Sequence, residues 1–286
     1  MPTLRLLGGL CLLAILGAAC ATPGTDTLGK IRESGRISLG YRDSSRPFSY
    51  LGDRGQPVGY SIDLCTRVVD EVKTATGRRD LKIDWVRVTP EDRMGAVTGG
   101  RIDLECGSTT ASLSRQEQVD FSYPTFVDGA SLLVAADANV RTAADLAGKP
   151  IAVVPGTTTQ GVLTAWLAKQ GVTAQVLPVR EHAEGLAAVA DGRAVAYASD
   201  RTILIGLGLA YQGSRRLQVL DDFLSYEPYG LMMRRRDLDF RLTVNRALAE
   251  VYRSGEIVRI YDRWFGNWGP PSRLLGAMYL LNSVPE

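Results

Sequence analysis

Residues 103–122 read DLECGSTTASLSRQEQVDFS. Ile102, Leu104 and Cys106 are spaced as the buried face of a strand. The strand runs into a hydroxyl-rich turn, Gly107-Ser108-Thr109-Thr110, and Arg115 follows at the opening of a short helix. Such a strand end aims hydroxyls and free backbone N–H groups at one point, and a forked guanidinium closes it, which makes an anion pocket. No nucleophile–base pair and no metal-ligand cluster stands beside it. The stretch is equipped to hold a carboxylate rather than to react with it.

Outward from this stretch, strand pattern recurs at 37–40, 81–88, 131–135, 151–154, 175–179, 194–198 and 229–233. Residues 48–50 and 58–60 flank Asp53-Arg54-Gly55 as a hairpin. Helical periodicity lies between: 61–73, with Leu64, Val68, Val69 and Val72 on one face, then 143–146, a stretch ending at Lys169, 183–191, 238–254 and 256–265. Thr89-Pro90-Glu91-Asp92 carries a helix start, with Thr89 as N-cap, Pro90 at the first helical position and acids in the first turn. That helix stops at Gly99-Gly100, and from Asn267, through Pro270-Pro271, an irregular tail is expected. Strands alternating with helices predict an α/β protein with largely parallel sheets. Such sheets bind ligands at the carboxyl ends of their strands. Polar groups stand at those ends: Arg42, Arg93, Ser108 to Thr110, Thr157 to Thr159, and Asp200. Two lobes facing each other bring them to one cleft.

The chain has 286 residues, room for two domains, and its 45% hydrophobic and 22% charged residues are the balance of a globular protein with a sizeable core. The net charge is +2, and the basic doublets carry no interleaved aromatics, so no nucleic-acid partner is expected. One histidine, no nucleophile elbow and no ligand cluster exclude serine-hydrolase and metalloenzyme chemistry. No catalytic residue, metal or cofactor is expected. Residues 1–20 read as a secretory signal peptide, with Arg5, an apolar run over 6–19 and then Cys20, too short for a membrane span. Leu16-Gly17-Ala18-Ala19-Cys20 resembles a bacterial lipoprotein box, which leaves Cys20 lipidated, although Gly17 holds the usual aliphatic place. Ordinary cleavage after Ala19 or Ala21 is the other reading. Either puts the mature chain outside the cytoplasm. There Cys65 and Cys106 remain as one pair, for which an oxidising compartment favours a disulfide. Two buried free thiols are the alternative.

Three segments carry a family resemblance: Gly40-Tyr41-Arg42-Asp43-Ser44-Ser45-Arg46-Pro47-Phe48-Ser49-Tyr50, Val58-Gly59-Tyr60-Ser61-Ile62-Asp63-Leu64-Cys65, and 103–115. With Ser254-Gly255-Glu256 and Ile260-Tyr261-Asp262-Arg263-Trp264-Phe265-Gly266, they resemble extracytoplasmic glutamate/aspartate-binding proteins, the solute receptors of ABC amino-acid importers. The resemblance runs from about Thr27 to about Gly266. It implies the two-lobed type II periplasmic-binding-protein fold, with ligand in the inter-lobe cleft. Lobe 1 is expected at 27–128 plus 226–286 and lobe 2 at 129–225, with crossings near 126–131 and 225–230. It further implies a monomeric periplasmic receptor that captures L-glutamate or L-aspartate by lobe closure and delivers it to a membrane permease.

Carried onto this chain, the resemblance gives Ser108, Thr110 and Arg115 to the ligand's α-carboxylate. Thr157 and Thr158, at a helix N-terminus, hold the same group from the opposite lobe. Asp200 takes the α-ammonium, and Arg42, Arg93 and His182 take a distal carboxylate. Similar receptors for basic amino acids tend to carry an acid where Arg42 stands, so a positive charge reverses the preference. Arg93, in the first turn of a helix, is poorly placed for a cation unless an anion needs it. One residue departs from the pattern: Pro90 stands where these receptors commonly offer a serine hydroxyl, so one contact is missing or taken by water. Two other functions stay open. Some periplasmic cyclohexadienyl dehydratases resemble these receptors, but an enzyme needs a general acid over its substrate, and only Asp200 stands out. The third reading is an amino-acid-sensing receptor component.

Overall fold

The computed structural model describes residues 26–285, so the expected signal peptide and Cys20 lie outside the described residues. The chain opens with α1 (Thr27–Ser34) and β1 (Arg36–Tyr41), then a small antiparallel ribbon of β2 (Ser44–Ser45), β3 (Ser49–Leu51) and β4 (Pro57–Val58). It continues through α2 (Tyr60–Thr76), β5 (Lys82–Arg87), α3 (Arg93–Thr98), β6 (Leu104–Glu105), α4 (Leu113–Gln116) and β7 (Val119–Asp128). One residue later β8 (Ala130–Ala135) begins a second sheet, built with β9 (Pro150–Val153), β10 (Gln175–Pro178), β11 (Ala196–Asp200) and β12 (Leu217–Val219). Its helices are α5 (Thr158–Lys169), α6 (His182–Ala190) and α7 (Arg201–Ala210). β13 (Glu227–Arg234) returns to the first sheet, followed by α8 (Leu238–Arg253), α9 (Glu256–Phe265) and α10 (Arg273–Leu281).

The sheets run β5-β1-β6-β13-β7 and β10-β9-β11-β8-β12. In the first, β13 is antiparallel to both its neighbours, so the other four strands point one way. In the second, β8 plays the same part. β8 and β11 are buried along their whole length, as ASLLVA and AYASD. A strand covered by helices on both faces reads as such a continuous run rather than an alternation. The lobes join where β7 and β13 pair, with Asp128 opposite Glu227, Val127 opposite Pro228 and Phe126 opposite Tyr229. Beneath this crossing Phe48 lies edge-on to Phe126 and Tyr229, at centroid distances of 4.9 and 5.1 Å. Each such pair contributes about 0.5–1.5 kcal/mol beyond its burial. The crossing therefore has a rigid floor, and two carboxylates stand on it.

Cys65, in α2, and Cys106, just past β6, are joined by a disulfide with Cα atoms 6.1 Å apart and a separation of 41 residues. The bond pins a lobe-1 helix to the strand end that presents Ser108 and Thr110. Closing a loop of that length constrains the unfolded chain by about 4 kcal/mol. The double variant Cys65→Ala/Cys106→Ala is expected to lose that stability in urea unfolding while still folding. An unchanged midpoint is the opposite result.

Two sequence expectations are corrected here. The helix expected at Thr89 begins at Arg93, because the Asp92 carboxylate accepts the Thr89 N–H at 2.7 Å and closes a turn first. Residues after Asn267 are not all irregular. Ser272 caps α10 by accepting from Leu275 N, and Leu275, Met278 and Tyr279 pack inward at helical spacing. The Tyr279 hydroxyl meets that of Tyr60 at 2.9 Å and so ties the helix to lobe 1.

Candidate functional site

Eight of the nine expected ligand residues follow or end strands, and those strand ends meet. Arg42 follows β1, Arg93 opens α3 after β5, and Ser108 and Thr110 follow β6. From the second sheet, Thr157 and Thr158 follow β9, His182 follows β10 and Asp200 ends β11. These eight residues line one narrow pocket between the lobes, joined by Thr159, Ser199 and Ile203. Arg115, the ninth, is not in the lining. Its guanidinium donates to Thr110 O at 3.0 Å and Gly156 O at 3.1 Å, so it straps one lobe's turn to the other's. Gly156 has φ +75°, and a Cβ there would lie 3.0 Å from Pro90 O, so the turn and the opposite lobe meet flush.

One end of the cavity is acidic. The 109–111 turn is sewn to β13 by Ala111 N to Pro228 O (2.8 Å) and Gly230 N to Thr109 O (3.1 Å). Thr110 therefore reaches Glu227, on the crossing strand. Thr110 Oγ1 and Thr158 Oγ1 donate to the same oxygen of Glu227, at 2.6 and 2.7 Å, while Ser225 Oγ donates to the other at 2.6 Å. One buried carboxylate thus gathers a hydroxyl from each lobe. A hydroxyl whose proton is committed offers only lone pairs elsewhere, so these two threonine oxygens present acceptors to the cavity. Asp200 accepts from Thr159 Oγ1 at 3.0 Å and from the Tyr229 hydroxyl. Burial first and Glu227 second push its carboxyl up to about 6. Asp128, behind it, is pushed up to about 7 by burial and by Asp200. Three carboxyls in so small a space favour a cation among them.

The other end is basic. Arg42 and Arg93 are buried, 1% and 3% exposed. Arg42 Nη2 meets Glu181 Oε2 at 2.8 Å. Arg93 Nη1 donates to Thr109 Oγ1 at 2.7 Å, which in turn donates to Glu105 at 2.8 Å. Burial, then Arg115 and Arg42, pull Arg93 down to about 9, against the support of Glu105. His182 Nδ1 lies 2.6 Å from the Tyr197 hydroxyl and 3.3 Å from Ser199 Oγ. Burial, with Arg42 and Arg93 next, holds His182 well below its usual range, so the ring is neutral. The Nε atoms of both arginines are buried without a hydrogen-bond partner. A site with buried guanidiniums and unused N–H groups is short of an anion.

Glu227, Tyr229 and Glu181 are not among the site residues expected from the sequence, whereas Thr159 belongs to the expected 157–159 turn. Glu181 sits beside His182 in a charged triplet and was there to be weighed. Glu227 gave no local sign, because its role comes from partners 117 and 69 residues away.

Residues 37–267 match the family described as bacterial extracellular solute-binding proteins, family 3. The chain is 38% identical to the L-glutamate/L-aspartate-binding protein of Pseudomonas aeruginosa, over 95% of this chain and 92% of that one. It is 33% identical to the glutamate/aspartate import solute-binding protein of Escherichia coli, over 87% and 82% of the two chains. Among solved structures, an ancestral amino acid-binding protein described as a precursor of cyclohexadienyl dehydratase superposes with a TM-score of 0.73 at 27% identity, covering 84% of this chain and 100% of that one.

Proposed function

We propose that this chain, which belongs to the bacterial extracellular solute-binding proteins of family 3, captures an acidic amino acid, L-glutamate or L-aspartate, in the periplasm and delivers it to an ABC permease. The observation that carries this reading is the opposite polarity of the two ends of one pocket between the lobes. An amino acid's ammonium goes to Asp200 and the lone pairs of Thr110 and Thr158. Its distal carboxylate goes to Arg42, Arg93 and the neutral His182. The α-carboxylate takes Ser108 and the first-turn N–H groups of α5, beside Thr157, with Arg115 released from its carbonyl partners to close the set. We assign 27–128 plus 226–286 to lobe 1 and 129–225 to lobe 2, so that closure about β7 and β13 brings the two ends together. Lipid anchoring through Cys20 stays part of the proposal and rests on residues 16–20 alone.

A receptor, not an enzyme, is the reading favoured at Asp200. Tyr229 and Thr159 both donate to its carboxylate, which supports an ammonium acceptor rather than a proton donor over a substrate. Calorimetry across the amino acids tests the function. L-glutamate and L-aspartate are expected to bind at least about tenfold more tightly, a difference of about 1.4 kcal/mol, than L-glutamine, L-asparagine or L-arginine. Equal or weaker binding of the two acids sinks the assignment, and turnover of prephenate or arogenate promotes the dehydratase instead.

A further inference from the structure

Glu181 is the N-cap of α6, in the second lobe, yet its side chain makes no cap hydrogen bond. It reaches across the cleft instead. Its Oε2 accepts from Arg42 Nη2 at 2.8 Å and from Ser44 Oγ at 2.9 Å, and its Oε1 lies 3.8 Å from Arg87 Nη2. Among the described residues, every ion pair and hydrogen bond of this carboxylate is with the first lobe. The side chain is 15% exposed, so the pair with Arg42 is poorly screened. Arg42 is also the cation assigned to the ligand's distal carboxylate. Glu181 therefore does two things at once. It fastens the lobes at the side-chain end of the cavity, and it puts a resident negative charge on the guanidinium that a ligand's acid must share.

The geometry points to Glu181 as a specificity-determining residue, one that moderates the preference for acidic over neutral side chains. This rests on the reading that a distal carboxylate meets Arg42. Two anions on one guanidinium repel each other, whereas an amide in the ligand's place feels little of that repulsion. The fastening acts on every ligand alike, because any ligand that closes the lobes gains it. The charge acts on acids only. The two roles therefore separate in a ratio of affinities.

Calorimetry with L-glutamate and L-glutamine on the wild type, Glu181→Gln and Ser44→Ala reads that ratio. Glu181→Gln is expected to widen the glutamate-to-glutamine affinity ratio by about tenfold, whatever happens to the two affinities singly. Ser44→Ala loosens the fastening and keeps the charge, and it is expected to leave the ratio as it was. Glu181→Ser guards against a folding failure, since serine is a favoured N-cap, and should widen the ratio as well. An unchanged ratio in both Glu181 variants overturns the inference, as does a ratio that Ser44→Ala moves equally. A wild type that shows no preference for glutamate overturns the acidic-ligand reading itself, a separate result.

Discussion

Arg42→Met is expected to weaken L-glutamate binding by roughly a hundredfold or more, about 3–5 kcal/mol, the cost of removing one partner from a buried charge pair. The size follows from what the substitution leaves behind. Arg42 is 1% exposed and stands between Glu181 and the assigned place of the distal carboxylate. Without it, two carboxylates face each other, and at about 5 Å and an effective dielectric constant of about 20 their repulsion is about 3 kcal/mol. The remaining groups compensate only in part: Arg93 already donates one N–H to Thr109, and His182 is neutral. L-glutamine meets no such repulsion and loses only a hydrogen bond to the guanidinium, about 1.5–3 kcal/mol for one made to a charged group. Calorimetry should thus show the acid falling further than the amide. The double variant Arg42→Met/Glu181→Gln should recover part of the loss for glutamate. Equal losses for the two ligands, or no loss, take Arg42 out of the site.

Much of this site was legible because its residues sit at strand ends, and strand ends are local. The run from Cys106 to Thr110 and the run from Val154 to Thr159 each announce a strand meeting a polar turn, and the fold delivers both to the cavity. What joins them is not local. Glu227 owes its place to β13 slipping between β6 and β7, a return to the first sheet that no stretch of sequence declares. The Arg42–Glu181 pair spans 139 residues. Arg115 shows the other limit. Its residue type and place pointed to an anion, but a long side chain can be held elsewhere until one arrives, and here two carbonyl oxygens hold it. The helix starts at Arg93 and not at Thr89 because Asp92, one of the acids that signal a first turn, bonds backwards to Thr89 instead. Pro270-Pro271 breaks the chain's regular structure only briefly, since Ser272 directly after them caps α10.

Asp200→Asn is expected to pull affinity and stability in opposite directions, which separates a binding role from a folding one. Asp200 is the buried anion assigned to the ligand ammonium, and removing its charge should cost about 3–5 kcal/mol of binding, several hundredfold or more. The ligand-free protein should gain stability, because the carboxylate crowds Asp128 and Glu227. The pH dependence has a definite sign. Burial and Glu227 raise the folded carboxyl to about 6, above its ordinary value of 3.8. Between those values the folded state holds more protons than the unfolded one, so this group's contribution to stability falls as pH rises through that window. Binding runs the other way. An ammonium needs Asp200 ionised, so glutamate affinity should decline below about pH 6, by up to about tenfold per unit. In the asparagine variant both dependences lose this component, although Asp128, raised by burial first and by Asp200 second, keeps the part that burial supplies. Calorimetry from pH 8 to pH 5 and thermal unfolding of the ligand-free forms supply the two readouts. A variant less stable than the wild type at pH 8, or one whose affinity keeps the wild-type decline below pH 6, removes Asp200 as the ammonium's partner and leaves the cavity's acidic end to Glu227.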